Sequence, residues 1–170
     1  QERLKEAKKL LEETSKLLVK LNKIAKTHPD IVYSGVVEAA FEEYAEGQTL
    51  LRLIEEDRFV SPEELGVPSV AYVLGLGDVV GELRRRALDM LRKGDVKAAE
   101  DCLQMMEKIY MELMSMDDAY MLVPGLRRKG DVARHVIEAT RGDITLEARR
   151  TTLERSIKRL EKAMKSQGKS

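Results

Sequence analysis

Apolar residues recur at steps of three and four through nearly the whole chain, which is the period of an α-helix. In the first run Leu4, Leu11 and Leu18 fall seven apart, with Ala7, Leu10, Leu17, Leu21 and Ile24 in neighbouring positions. This predicts a helix over about residues 2–27, closed at His28-Pro29-Asp30 because the residue before a proline resists helical backbone. A second helix is expected over about 32–56. Ser61-Pro62-Glu63-Glu64 then reads as an N-cap, a proline in the first helical position and acidic first-turn residues, the start of a short helix that Gly66-Val67-Pro68 breaks. A third long helix runs over about 69–93 and stops at Gly94, and Asp95 caps a fourth over about 96–117. A fifth begins near Pro124-Gly125 and reaches Thr140; Gly142-Asp143 interrupts it, and Thr145 caps a last helix over about 146–165. The tail SQGKS is expected to fray. Short connections make consecutive helices antiparallel neighbours. The pattern predicts an all-α, single-domain bundle of about six to seven helices over residues 1–170.

Composition agrees. The 170 residues suffice for a real core, apolar residues are 43% and charged ones 35%, and helix-breaking residues are few, with 4 Pro and 11 Gly. Lysines and arginines (30) balance aspartates and glutamates (30). Nucleic-acid binding therefore requires positive charge that is local, or concentrated by assembly. The single cysteine, Cys102, excludes an internal disulfide and a cysteine zinc cluster, and it suits a reducing cytoplasm. No apolar run is long enough to span a bilayer and no signal peptide is visible. The chain starts at Gln1 rather than Met, which leaves room for residues upstream.

Two acidic features stand out. Along the second helix one stripe reads Val36, Ala40, Glu43, Gly47, Leu50, Ile54, small or apolar at every place except Glu43, with Glu46 one turn on at its edge. In the third long helix Asp78 and Glu82 are four apart and share a face. Gly75 and Gly81 flank that face, so a neighbouring helix can come close there. If the neighbour is the second helix, Glu43, Glu46, Asp78 and Glu82 converge. Converging carboxylates repel unless some are protonated or a cation joins them. Mg²⁺ prefers oxygen ligands and keeps waters for a phosphate substrate, and Mn²⁺ fits the same donors. Such a metal polarises a phosphoryl oxygen and activates a water, the chemistry of phosphodiester hydrolysis.

Plainer readings stand beside this one. Glu82 with Arg86, and Arg85 with Asp89, have the spacing of ordinary helix-surface pairs, and Glu43 fits a buried salt bridge as well as it fits a ligand. The cluster Arg84-Arg85-Arg86 offers an RNA path, or a solvated face. Arg127, Arg128 and Lys129, near a helix start, oppose the macrodipole and hint at an anion, but a solvated turn explains them too. Met105, Met106, Met111, Met114 and Met116 read as core or subunit interface, and His28 and His135 as structural or exposed. Seven aromatics (5 Tyr, 2 Phe) are too few for a broad base-stacking platform, so RNA would be held by its phosphates.

The stretches EEYAE, LIEEDRFVSPEEL, YVLGLGDVVGELRRRALDMLRKGD and PGLRRKGDVARHVIEATRGDIT resemble the translin superfamily, in its archaeal, translin-associated factor X-like form. The likeness is strongest over about 41–95 and weakest in the first helix. It implies an all-α fold that assembles into an oligomeric shell, an octamer, binding single-stranded RNA and DNA. It also implies a Mg²⁺-dependent endoribonuclease site whose E-x-x-E and D-x-x-x-E pattern falls on Glu43, Glu46, Asp78 and Glu82. The tryptophan- and arginine-bearing basic segment of eukaryotic translin has no counterpart before FEEYAEG, so a homo-oligomer would carry both roles. The expectation is a Mg²⁺-dependent endoribonuclease acting on single-stranded RNA, with Arg85, Arg84 and Arg86 on the RNA. The alternatives are a non-catalytic single-strand-binding oligomer and a purely structural helical one.

Overall fold

The computed structural model describes residues 2–116 and 122–167. They form six α-helices and one 3-10 turn, with no strand among the described residues. Helix α1 is Glu2–Ala25, and the 3-10 turn Pro29–Tyr33 leads into α2, Gly35–Glu56. Short α3 is Pro62–Leu65, α4 is Ser69–Arg92, α5 is Val96–Met114 and α6 is Leu126–Gln167.

The helix ends are set by local chemistry. The Ser61 side chain accepts a hydrogen bond from the Glu64 amide (3.2 Å), and Gly66 closes α3 in the left-handed region at φ 66°. Asp95 caps α5 by accepting from the Ala98 amide at 3.0 Å. The break expected at Gly142 does not occur, because α6 runs unbroken for 42 residues. A glycine inside a helix costs only about 1 kcal/mol, which neighbouring turns absorb. Thr145 starts nothing: its hydroxyl donates back to the Arg141 carbonyl at 2.8 Å, as a mid-helix threonine does. Of the tail SQGKS, residues 168–170 lie outside the described residues.

Helix α4 is the centre of the bundle. It packs against α2 on one side and α5 and α6 on the other, while α1 lies on α2. The main core joins Val79, Val80 and Leu83 of α4 to Met106, Ile109 and Leu113 of α5 and to Leu126 and Ile137 of α6. A second, smaller core gathers Leu18 of α1, Phe41, Tyr44 and Ala45 of α2, and Ala71 of α4. Cys102 is buried as a free thiol. Of the methionines, Met106 is fully buried and Met111 is exposed.

The buried face of α2 corrects the stripe drawn from sequence. Phe41, Tyr44, Ala45, Thr49 and Leu53 face the core, whereas Val36 is 83% exposed and Ala40 and Glu43 are exposed as well. Both stripes have helical spacing, and the one carrying the two aromatics buries the larger apolar area. Glu43 is therefore not a charge inside the core of the chain.

At Gly75 the α2–α4 crossing is as tight as backbone allows. A methyl there would lie 2.6 Å from the Glu42 carbonyl oxygen and 3.0 Å from the Glu46 nitrogen. Gly142, by contrast, has nothing within 4 Å of an added Cβ. Two glycine-to-alanine changes should therefore act with opposite sign. Gly142→Ala should stabilise the chain by about 0.5–1 kcal/mol. Gly75→Ala should destabilise it by about 2 kcal/mol, because the clash with backbone outweighs the propensity gain. Urea unfolding of the two variants reads both effects.

Candidate functional site

The crossing at Gly75 sets α2 and α4 side by side, and the acidic residues lie along it. Glu42, Glu43 and Glu46 come from α2, and Asp78 and Glu82 from α4. The four residues singled out from sequence are brought together: the charges of Asp78, Glu43 and Glu82 all act on Glu46. Burial first, and then those three anions, push the Glu46 carboxyl up to about 7 against the opposing pull of Lys129.

Lys129, at the start of α6, enters this cluster, where the sequence suggested a solvated turn. Its ammonium bridges Glu42 of α2 and Asp78 of α4. Burial works against the charge of Lys129, but its hydrogen bonds to Asp78 and Glu42 outweigh that and hold its pKa above the usual lysine value. Gly77 makes the arrangement fit, since a methyl there would meet the Lys129 Cβ and Cδ at 3.1 Å. The lysine stem thus lies flat on α4 and delivers its head group one residue further on. Fully buried Leu126 anchors the same turn of α6. A cleft of about 360 Å³ opens beside the Asp78–Lys129 pair, bordered by Gly77, Gly125, Arg128 and Val132.

The three arginines of α4 diverge. Arg84 is tied to α6, donating to the Thr140 hydroxyl at 2.8 Å and to Asp143 at 3.2 Å. Arg85 is exposed and donates to Glu82 at 3.1 Å, in place of the Arg85–Asp89 pair that the spacing allowed; Asp89 pairs instead with Arg92 at 3.0 Å. Arg86 is exposed, with its charge felt at Cys102. His135 lies on the exposed side of α6 against the Asp131 carbonyl (2.7 Å), away from any acidic cluster role. Two participants were missed in the sequence: Glu42 and Lys129. The cue for the second was Gly77, which marks a close approach on α4 but does not say what approaches.

Five carboxylates with two cations among them, Lys129 and Arg85, leave the crossing with excess negative charge. Hard oxygen donors in excess suit a hard divalent cation. As the side chains stand, no three acidic, histidine or cysteine groups among the described residues are gathered to grip an ion. Asp78 is turned to Lys129 and Glu82 to Arg85. The donor set fits such a cation in charge and chemistry, provided Lys129 yields Asp78.

The fold is that of a family of helical proteins. The chain belongs to the Translin family, whose sequence model matches residues 1–165. An uncharacterized protein of Methanocaldococcus jannaschii is 34% identical over 157 residues, which is 92% of this chain and 69% of that protein. Among solved structures, AfC3PO in a complex with duplex RNA is similar with a TM-score of 0.76 and 37% identity, over 85% of this chain and 74% of that one. The apo form of NeC3PO is similar with a TM-score of 0.74 and 30% identity, over 84% and 74% of the two chains. No described helix is long and apolar enough to cross a membrane.

A raised carboxyl pKa has a defined effect on stability. The folded chain holds the Glu46 proton more tightly than the unfolded chain, whose value is near 4.5, so ionising Glu46 weakens the fold as pH rises from about 4.5 to about 7. Glu46→Gln removes that cost. In EDTA-containing buffer the variant should gain roughly 1 kcal/mol over the parent at pH 8, a figure already reduced for the half-exposed position. The gain should vanish near pH 4.5. Chemical unfolding at the two pH values measures it; a gain that is the same at both would contradict the crowding of anions around Glu46.

Proposed function

We propose that this chain binds RNA as an oligomeric shell and cuts it in a divalent-cation-dependent reaction at the α2–α4 crossing. The observation that carries the proposal is the close approach at Gly75, which sets Glu43 and Glu46 beside Asp78 and Glu82. The likeness to AfC3PO, seen with duplex RNA, supports the RNA part. The near-zero net charge means that RNA would be held by local cations, not by an overall basic surface.

In this reading Glu43, Glu46, Asp78 and Glu82 hold Mg²⁺, or Mn²⁺ in its place. The bound cation supplies charge for a phosphoryl oxygen and lowers the pKa of a water. The protein's own groups do the rest. Arg85, exposed beside Glu82 on α4, reaches for a phosphate oxygen, where its planar fork suits a two-pronged contact. Arg84 holds α4 to α6 and keeps the acidic face in register, while Arg86 adds exposed charge on the same helix. One of the four carboxylates also orients the attacking water. Lys129 and Arg128 border one cleft beside Asp78 and add local positive charge there. Single-stranded RNA is the substrate proposed, as the translin resemblance implies, and a reducing cytoplasm suits the free Cys102 thiol.

The test is cleavage of an end-labelled single-stranded RNA with Mg²⁺ or with EDTA, by the parent and by Glu43→Gln and Asp78→Asn. Cutting should require Mg²⁺ and fall at least about 100-fold in each variant while RNA binding persists. A parent that binds RNA but never cuts it with Mg²⁺ or Mn²⁺ would leave the non-catalytic shell as the function. Binding itself should weaken with salt, and Arg85→Ala should lower the slope of log K against log salt by about 0.7 if it neutralises one phosphate of a single strand.

A further inference from the structure

The second half of α6 stands clear of the bundle. At 42 residues the helix is about 63 Å long, against about 36 Å for the 24 residues of α4 beside it. Every residue from Thr152 to Lys165 is exposed. An isolated helical segment of this length is marginal in water, so its own propensity is a weak support. Yet the projecting part is not polar all round. Leu146, Leu153 and Leu160 fall seven apart, and Leu153 and Leu160 are 61% and 65% exposed. Ile157 and Met164 fill the alternate positions, giving the spacing of a coiled-coil seam.

A second uncovered row lies on α1. Its inner side packs on α2 through Leu11 and Leu18, but Leu10 and Leu17 on its outer side are 57% and 62% exposed, and Ile24 continues the row seven residues on. Within one chain α1 packs on α2 while α6 packs on α4 and α5, and neither row is covered.

The charges beside the two rows are opposite and share the seven-residue repeat. On α6 a glutamate follows each leucine: Glu147, Glu154 and Glu161. On α1 a lysine precedes each apolar residue: Lys9, Lys16 and Lys23. Successive residues of a helix are turned by about 100°. When two parallel helices face each other through these rows, the residue before the seam on one and the residue after it on the other fall on the same side. Lysines then meet glutamates along one flank, as the flanking positions of a coiled coil do. A parallel α6–α6 pair would set Thr145, Thr152 and Arg159 against the glutamate row, a single cation in place of three.

We infer that the projecting half of α6 packs in parallel on the outer face of α1 of a second copy of this chain. Each copy carries one seam of each kind, so a closed rotational arrangement leaves none open. The inference rests on the reading that the chain assembles with itself, and is independent of whether it cuts RNA.

The experiment uses the full chain. Leu153→Glu with Leu160→Glu should raise the dissociation constant of the assembly at least tenfold in analytical ultracentrifugation, with parental helicity by circular dichroism. Because that double variant loses apolar surface of any interface, charge reversals test the partner. Glu154→Lys and Lys16→Glu should each weaken assembly, and the two together should restore it. Cysteine exchange then separates the pairings: under mild copper-phenanthroline oxidation, Leu17→Cys chains mixed with Leu153→Cys chains should cross-link to each other. Cross-linking of Leu153→Cys chains among themselves alone would overturn the inference in favour of α6–α6 pairing. An assembly unchanged by Leu153→Glu and Leu160→Glu would also overturn it, and a parent that is monomeric throughout would remove the assembly reading with it.

Discussion

Gly75 sets the distance between α2 and α4. With a hydrogen in place of a side chain, the backbone of α4 reaches the Glu42 carbonyl and the Glu46 amide of its neighbour closely enough that a methyl would stand 2.6 Å from the former. The acidic cluster lies along that contact. Wider separation would leave Glu43, Glu46, Asp78 and Glu82 as independent, well-solvated surface carboxylates. At this separation they act on one another, and the repulsion must be answered by a proton, a lysine or a metal. The chain supplies the first two, in Glu46 and Lys129.

Packing elsewhere serves this geometry. The apolar side of α4, through Val79, Val80 and Leu83, is fixed against α5 and α6, which leaves its acidic side facing α2. Arg84 ties α4 to Thr140 and Asp143 of α6, and Leu126 pins the turn that carries Lys129. Three helices thus meet at the acidic crossing, and Lys129 is the point at which the third joins it.

Much of the fold was legible because its signals are local. Ser61 and Asp95 announce helix starts through hydrogen bonds to amides three residues away, and a proline or a left-handed glycine marks where they stop. Gly142 misled because a lone glycine in a helix weakens it without ending it, and the choice between the two lies in tertiary packing outside the local sequence. The stripe through Glu43 misled for a related reason: two faces of α2 have helical spacing, and only contact with α1 and α4 decides which one is buried. The convergence of the carboxylates could be anticipated from Gly75 and the four-residue spacing of Asp78 and Glu82. Lys129 could not, since it lies 51 residues from Asp78 and 87 from Glu42 and no spacing rule spans those distances.

The function proposed for the α2–α4 crossing requires that it hold a divalent cation. Titrating the full chain with Mn²⁺ and following the free ion by electron paramagnetic resonance measures this without RNA and without catalysis. A cation held at the crossing means saturable binding to the parent that weakens at least about tenfold in Asp78→Asn, since one carboxylate ligand is worth more than about 1.4 kcal/mol in an anionic site. A parent that takes up no Mn²⁺, or a variant that binds it as tightly, would contradict it and leave Lys129 as the resident cation of the site.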